Sequence, residues 1–178
     1  MNERRMPHSP GDLLDLATAY QRSKVLFALV EFGLPTLLAG APQTREAIAQ
    51  RLNIHLRAAD RLLHASVALG LLEEEKGRFR NTALAEEFLV QNKETYLGEH
   101  LLRYDRTSYP LWNELVPKLR TWQPDETESE IPQEEDQGAS SLSAMHNLAL
   151  LTGHALGQVY DFSRHQRMLD LGGGTGAM

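Results

Sequence analysis

The chain is 178 residues long, with a formal net charge of −6, 42% hydrophobic and 24% charged residues, and no cysteine. This is the composition of a soluble globular domain, or of one domain and part of a second. It excludes disulfide frameworks, thiol catalysis and cysteine-based zinc sites, and it weighs against nucleic-acid binding driven by a basic surface.

Met1 to Gly11 reads as a loose arm, and no apolar stretch follows Arg4 and Arg5, so no signal peptide is expected. No apolar run reaches the roughly 18 residues of a membrane span, and a cytoplasmic location follows by default. Asp12 to Phe32 carries Leu13, Leu16, Ala17, Tyr20, Leu26, Phe27, Leu29 and Val30, a helical spacing that thickens toward its end. Gly33 ends it, and Leu34 to Pro42 is expected to be a connector. Thr44 is placed to cap a short helix to Leu52, with Glu46 in its first turn. A second helix is predicted over Leu56–Leu69, with Ala59, Leu62, Leu63, Ser66 and Val67 on one face and Gly70 closing it. Leu71–Glu73 and Arg78–Thr82 read as two strands about a Lys76-Gly77 turn. Helix, turn, helix and hairpin is the order of a winged helix.

Further helices are predicted over Glu94–Tyr104, Tyr109–Leu119 and Ser140–Tyr160. Between Thr121 and Ser163 there is no Lys or Arg, and the acidic stretch Asp125–Asp136, interrupted by Pro132, reads as a solvated loop. Arg167-Met168-Leu169-Asp170-Leu171 has the pattern of a buried parallel strand, followed by Gly172-Gly173-Gly174-Thr175-Gly176.

Glycines directly after a strand permit positive φ and let a ligand approach the backbone, as in the first turn of a nucleotide-binding Rossmann half. The loop alone leaves two cofactor classes open, because Gly172, Gly174 and Ala177 also satisfy the G-x-G-x-x-A dinucleotide fingerprint. Its position separates them: a dehydrogenase usually carries this loop near its start, whereas here about 170 residues precede it.

Leu169 to Gly176 closely resembles the first motif, V-D-V-G-G-G-x-G, of class I S-adenosylmethionine (SAM)-dependent O-methyltransferases, the acetylserotonin and caffeate type. The preceding residues resemble the N-terminal dimerisation domain of that family in order: Ala28 to Leu34, Thr44 to Ala49, Arg61-Leu62-Leu63 with Leu69 to Glu73, and Arg78 to Thr82 with Ala85. The resemblance spans about Asp12 to Met178. It implies a mainly α chain: a flexible arm (1–11), a winged-helix-like dimerisation domain (12–120), an acidic loop (121–139), and a linker helix with the truncated start of an α/β Rossmann-like methyltransferase domain (140–178).

The resemblance further implies SAM as cofactor, held in part by Asp170, Gly172, Gly173, Gly174 and Gly176, a homodimer, and a small-molecule hydroxyl as methyl acceptor. Met145 matches a family methionine that faces the acceptor, with gap-filling in a core as the competing reading. The family's base, a His that deprotonates the acceptor for SN2 attack, and its ribose-binding acid are expected beyond residue 178, so the chain alone is expected to be inactive. The apolar Leu26–Leu38 region is expected at the dimer interface.

Two other readings compete. A winged-helix DNA-binding regulator would use Arg57, Arg61 and His64 on its second helix, against the acidity of Glu73-Glu74-Glu75; a dimerisation-only module would need no chemistry. His55, His64, His100, His146, His154 and His165 show no metal-ligand spacing or carboxylate pairing, and Trp112 and Trp122 are expected to pack.

Overall fold

The structure, a computed structural model, describes residues 7–121, 135–171, 173 and 176. Helix α1 spans Pro10–Glu31. Ser9 caps it in a reciprocal box: its hydroxyl accepts from the Asp12 amide at 3.2 Å, and the Asp12 carboxylate accepts from the Ser9 amide at 2.8 Å. The His8 amide, then the Ser9 hydroxyl and the Ser9 amide, donate to the Asp12 carboxylate and hold it below its ordinary value.

The predicted connector after Gly33 instead contains a helix, α2 (Leu34–Leu38), because Gly33 takes φ +60° and Pro35 sits where a first turn lacks amide partners. Strand β1 (Gln43–Thr44) leads into α3 (Arg45–Leu52), where Thr44 accepts from the Ala47 amide as expected. Helix α4 (Leu56–Ala68) ends in a Schellman motif: the Gly70 amide donates to Val67 and the Leu71 amide to Ser66.

Strands β2 (Leu72–Glu75) and β3 (Arg78–Asn81) pair antiparallel, and β1 adds to β3, giving the order β1-β3-β2. Lys76 at φ 52° and Gly77 at φ 73° form the two-residue turn, the combination of type I′. The chain then forms α5 (Ala83–Phe88), absent from the sequence expectation and capped by Thr82. Next come α6 (Gly98–Arg103), a π-helical turn (Tyr104–Ser108), α7 (Tyr109–Trp112) and α8 (Leu115–Thr121). Helix α9 (Glu135–Val159) starts five residues before the predicted Ser140, so the end of the acidic stretch is helical. Residues 122–134, including Trp122 and most of the expected acidic loop, lie outside the described residues.

The core lies between the end of α1 and the sheet. Leu29, Val30, Leu34, Leu38, Ile48, Leu63, Leu72, Phe79, Ala85, Leu89 and Leu102 form one buried cluster. Within the Leu26–Leu38 region Leu29, Val30, Leu34 and Leu38 pack inward in this cluster, Leu26 and Leu37 are partly buried, and Phe32 is 41% exposed. The first half of α1 behaves oppositely, with Leu13, Leu14, Leu16 and Tyr20 each more than half exposed.

Asn81 joins three elements by donating to the Pro35 carbonyl and to Glu86, both at 2.8 Å. Lys93 also reaches Glu86, at 3.3 Å. The Asn81 bond, then Lys93, holds the Glu86 carboxyl below its ordinary value against the opposing effect of burial. A carboxylate shifted downward stabilises the fold above its unfolded pKa, and that contribution is lost as pH falls through the folded value.

Two outcomes are expected in urea unfolding. Phe79→Ala removes a fully buried ring and costs about 3–5 kcal/mol. Gly77→Ala puts a Cβ at positive φ and costs about 1–2 kcal/mol, while Lys76→Asn, with a residue that tolerates this conformation, is neutral or stabilising.

Candidate functional site

The predicted cofactor turn is reached through α9. Asn147 on α9 donates to the Tyr96 carbonyl at 2.7 Å, and α9 packs on α6. Tyr96 is buried, and burial raises its phenol pKa. Its ring lies so close to Gly98 that any side chain there would collide with it, so Gly98 is required by packing.

After α9 the chain turns through a 3-10 segment, Phe162–Arg164. The Asp161 carboxylate accepts from the Ser163 hydroxyl at 2.6 Å and the Ser163 amide at 3.1 Å, and pairs with Arg164 at 3.2 Å. The Ser163 bonds and then the Arg164 bond hold its pKa down. The Tyr160 hydroxyl and His165 Nε2 share a hydrogen bond of 2.6 Å, their rings stacked within 4° of parallel. Sequence reasoning missed this aromatic knuckle because nothing marks a Tyr and a His five residues apart as partners.

The structure brings Asp170, Gly173 and Gly176 into one turn. The Gly176 amide donates to the Gly173 carbonyl at 2.8 Å, and Gly176 adopts φ +69°, which favours glycine. A Cβ at Gly173 would run into the Asp170 carboxylate, so aspartate and glycine are matched in size. Gly172 and Gly174 lie outside the described residues. The expected buried strand over 167–171 is corrected: the segment has no strand partner, and Met168, Leu169 and Leu171 are 73%, 80% and 83% exposed. A parallel strand is stable only when neighbours supply its hydrogen bonds and cover both faces, and the sheet among the described residues lies within the front domain. Met145 sits on α9, 55% exposed rather than filling a core gap.

The histidines divide by environment. His64 lies 3.7 Å from Asp60 and 3.5 Å from Glu74 and stands edge-on to Phe79, so it is paired with carboxylates, contrary to the sequence reading. Asp60 also pairs with Arg45 at 2.9 Å, and Glu73 with Arg80 at 2.7 Å. The exposed edge of α4 beside the hairpin is thus a mixed-charge surface, a poor match for a phosphate backbone. His55 accepts from the Arg57 amide at 3.2 Å, at the start of α4.

His100 on α6 is half-buried against Tyr104, with ring centroids 4.8 Å apart, and its buried Nδ1 has no hydrogen-bond partner. Burial, and secondarily Arg103, lowers its pKa. Among the described residues no group of three or more His, Asp and Glu side chains has metal-binding geometry, and no helix is long and apolar enough to cross a membrane.

A mainly helical chain with exposed apolar residues on α1, α7 and α8 leads through α9 to an Asp-glycine turn. Residues 14–91 match the O-methyltransferase dimerisation domain family.

The chain is 34% identical over 184 residues to the tetracenomycin polyketide synthesis 8-O-methyl transferase TcmO of Streptomyces glaucescens, covering 96% of this chain and 53% of that protein. It is 34% identical to the N,N-dimethyltransferase OxyT of Streptomyces rimosus, covering 92% of this chain and 50% of the relative. Among solved structures, human N-acetylserotonin methyltransferase in complex with SAM superposes with a TM-score of 0.80 at 28% identity, over 99% of this chain and 56% of that one. The chain spans about half the length of the curated relatives it matches.

The His100 environment generates one expectation. A lowered imidazole pKa means the unfolded chain binds the extra proton first. The fold is therefore most stable above the unfolded value of about 6.5 and loses stability as pH falls toward the folded value. His100→Phe is expected to flatten that acid-side loss between about pH 6.5 and 5. Thermal melts across this range provide the check, and an unchanged slope contradicts the assignment.

Proposed function

We propose that this chain is the front half of a SAM-dependent O-methyltransferase that transfers a methyl group to a hydroxyl of a small molecule. The observation that carries this reading is the dimerisation-domain match over residues 14–91, joined through α9 to the turn of Asp170, Gly173 and Gly176. In this reading residues 12–120 are the winged-helix-like dimerisation domain, and residues 140–178 are the linker helix and opening of the Rossmann-like domain. The order α3, α4, β2, β3 with β1 on the sheet supports the first assignment.

One feature of the turn supports the cofactor reading: the Cβ position of Gly176 faces open space, while at Gly173 that position is taken by the Asp170 carboxylate. Asp170, Gly172, Gly173, Gly174 and Gly176 are the residues that would hold SAM. When bound, SAM supplies the electrophilic methyl group. The chain's own contribution is orientation, which can supply a large part of a displacement barrier. Helix α9 sets the position of the turn relative to α6, and Met145 lines the acceptor side. The family's base is assigned outside residues 1–178, so these residues alone transfer no methyl group. The protein works in the cytoplasm as a homodimer, paired through the exposed apolar residues of α1, α7 and α8.

The test uses a polypeptide in which residues 1–178 are joined to the segment that supplies the base, incubated with methyl-tritiated SAM and a panel of phenols and aromatic amines. Label on a hydroxyl oxygen is expected. Label on nitrogen, as the name of the Streptomyces rimosus relative allows, overturns the acceptor assignment; no transfer to any acceptor overturns the enzymatic reading. Asp170→Ala is expected to lower the rate at least tenfold and to raise the SAM concentration needed for half-saturation.

A further inference from the structure

The helical run from Gly98 to Trp112 is interrupted by the five-residue π turn Tyr104–Ser108. A π turn takes an extra residue, so the side-chain faces beyond it are rotated by roughly 100° from an uninterrupted α-helix. The Thr107 hydroxyl donates to the Arg103 carbonyl at 2.6 Å, giving that carbonyl a partner within the turn.

The turn is also fixed to α1 at two places. Lys24 pairs with Asp105 at 2.5 Å and lies 4.9 Å from the Tyr109 ring centroid, and Glu31 pairs with Arg106 at 2.8 Å. On α1, the residues preceding this bridge include exposed Leu13, Leu14, Leu16 and Tyr20. After Tyr109 come exposed Leu111, Trp112, Leu115, Val116 and Leu119. The bridge thus joins α1 to the turn that leads into α7 and α8, and α1, α7 and α8 all carry exposed apolar side chains.

We infer that this bridge, Lys24 to Asp105 and Tyr109 with Glu31 to Arg106, is a positioning device that sets α1 and the α7–α8 segment into one surface for a second copy of the chain. The inference rests on the homodimer reading above. The occupant is a second copy because residues 14–91, which include most of α1, match the O-methyltransferase dimerisation domain. These exposed pairs contribute little to the stability of a monomer. Their effect falls on association, where two elements must present their faces together.

The experiment measures the dimer dissociation constant by sedimentation equilibrium on the unmodified protein, Arg106→Glu, and the exchanged pair Glu31→Arg with Arg106→Glu. Arg106→Glu is expected to raise the constant by about three- to tenfold, with the helical circular-dichroism signal unchanged. The exchanged pair is expected to restore it to within about twofold. Should Arg106→Glu fail to fold, Arg106→Gln provides the same measurement, and Lys24→Met tests the other anchor. A dimer whose constant is unmoved by these variants, or is not restored by the exchange, overturns the inference and leaves the dimer reading intact. An unmodified protein that stays monomeric at tens of micromolar overturns the dimer reading and the inference with it.

Discussion

The burial of Phe79 in the core cluster is the constraint on which the front domain depends. The ring projects from the central strand of the three-stranded sheet into a cluster that includes Leu29, Leu34, Leu63 and Leu72. Those residues come from α1, α2, α4 and β2, so the cluster that holds Phe79 draws on four other elements at once. Close packing makes such a site intolerant of lost volume. The caps around it serve the same end: Gly33 lets α2 fold back onto the cluster, and Gly70 turns α4 into the hairpin that delivers Phe79.

The molecule is polarised by burial. Around the sheet, apolar side chains are enclosed by the chain's own elements. On the first half of α1, on α7 and α8, and after α9, they face solvent. Isolated exposed leucines carry no meaning, but contiguous stretches on successive turns mark surfaces made to be covered. The first two stretches suit a second subunit. The last, Met168 to Leu171, has the composition of a strand that is satisfied only inside a sheet.

Legibility in the sequence followed the range of the interactions. Local signals were readable: Thr44 as a cap, Gly70 as a helix stop, and Lys76-Gly77 as the hairpin turn all rest on contacts within a few residues. Helices α2 and α5 were missed because they are short and depend on a left-handed Gly33, a Thr82 cap and burial against distant residues. The inward packing of Leu29, Val30, Leu34 and Leu38 was not legible for a related reason: apolar content alone does not say whether the covering surface belongs to the same chain. The Asp170-glycine turn was visible as a motif, and its match in size between Asp170 and Gly173 is local. The strand before it was not borne out, because strand pairing is a property of neighbours and not of one segment. The carboxylates around His64 come partly from the hairpin and were invisible to spacing along one helix.

Helix α9 has a mechanical consequence. Its 25 residues make a rod of roughly 37 Å, tethered to the front domain by Asn147 on the Tyr96 carbonyl. From that pivot to Val159 is about 18 Å. A swing of ten degrees at the pivot therefore moves the far end by about 3 Å, comparable to the separation at which reacting atoms must be held. Small changes in the way α9 packs on α6, far from the glycine turn, are geometrically amplified into a displacement of the turn itself.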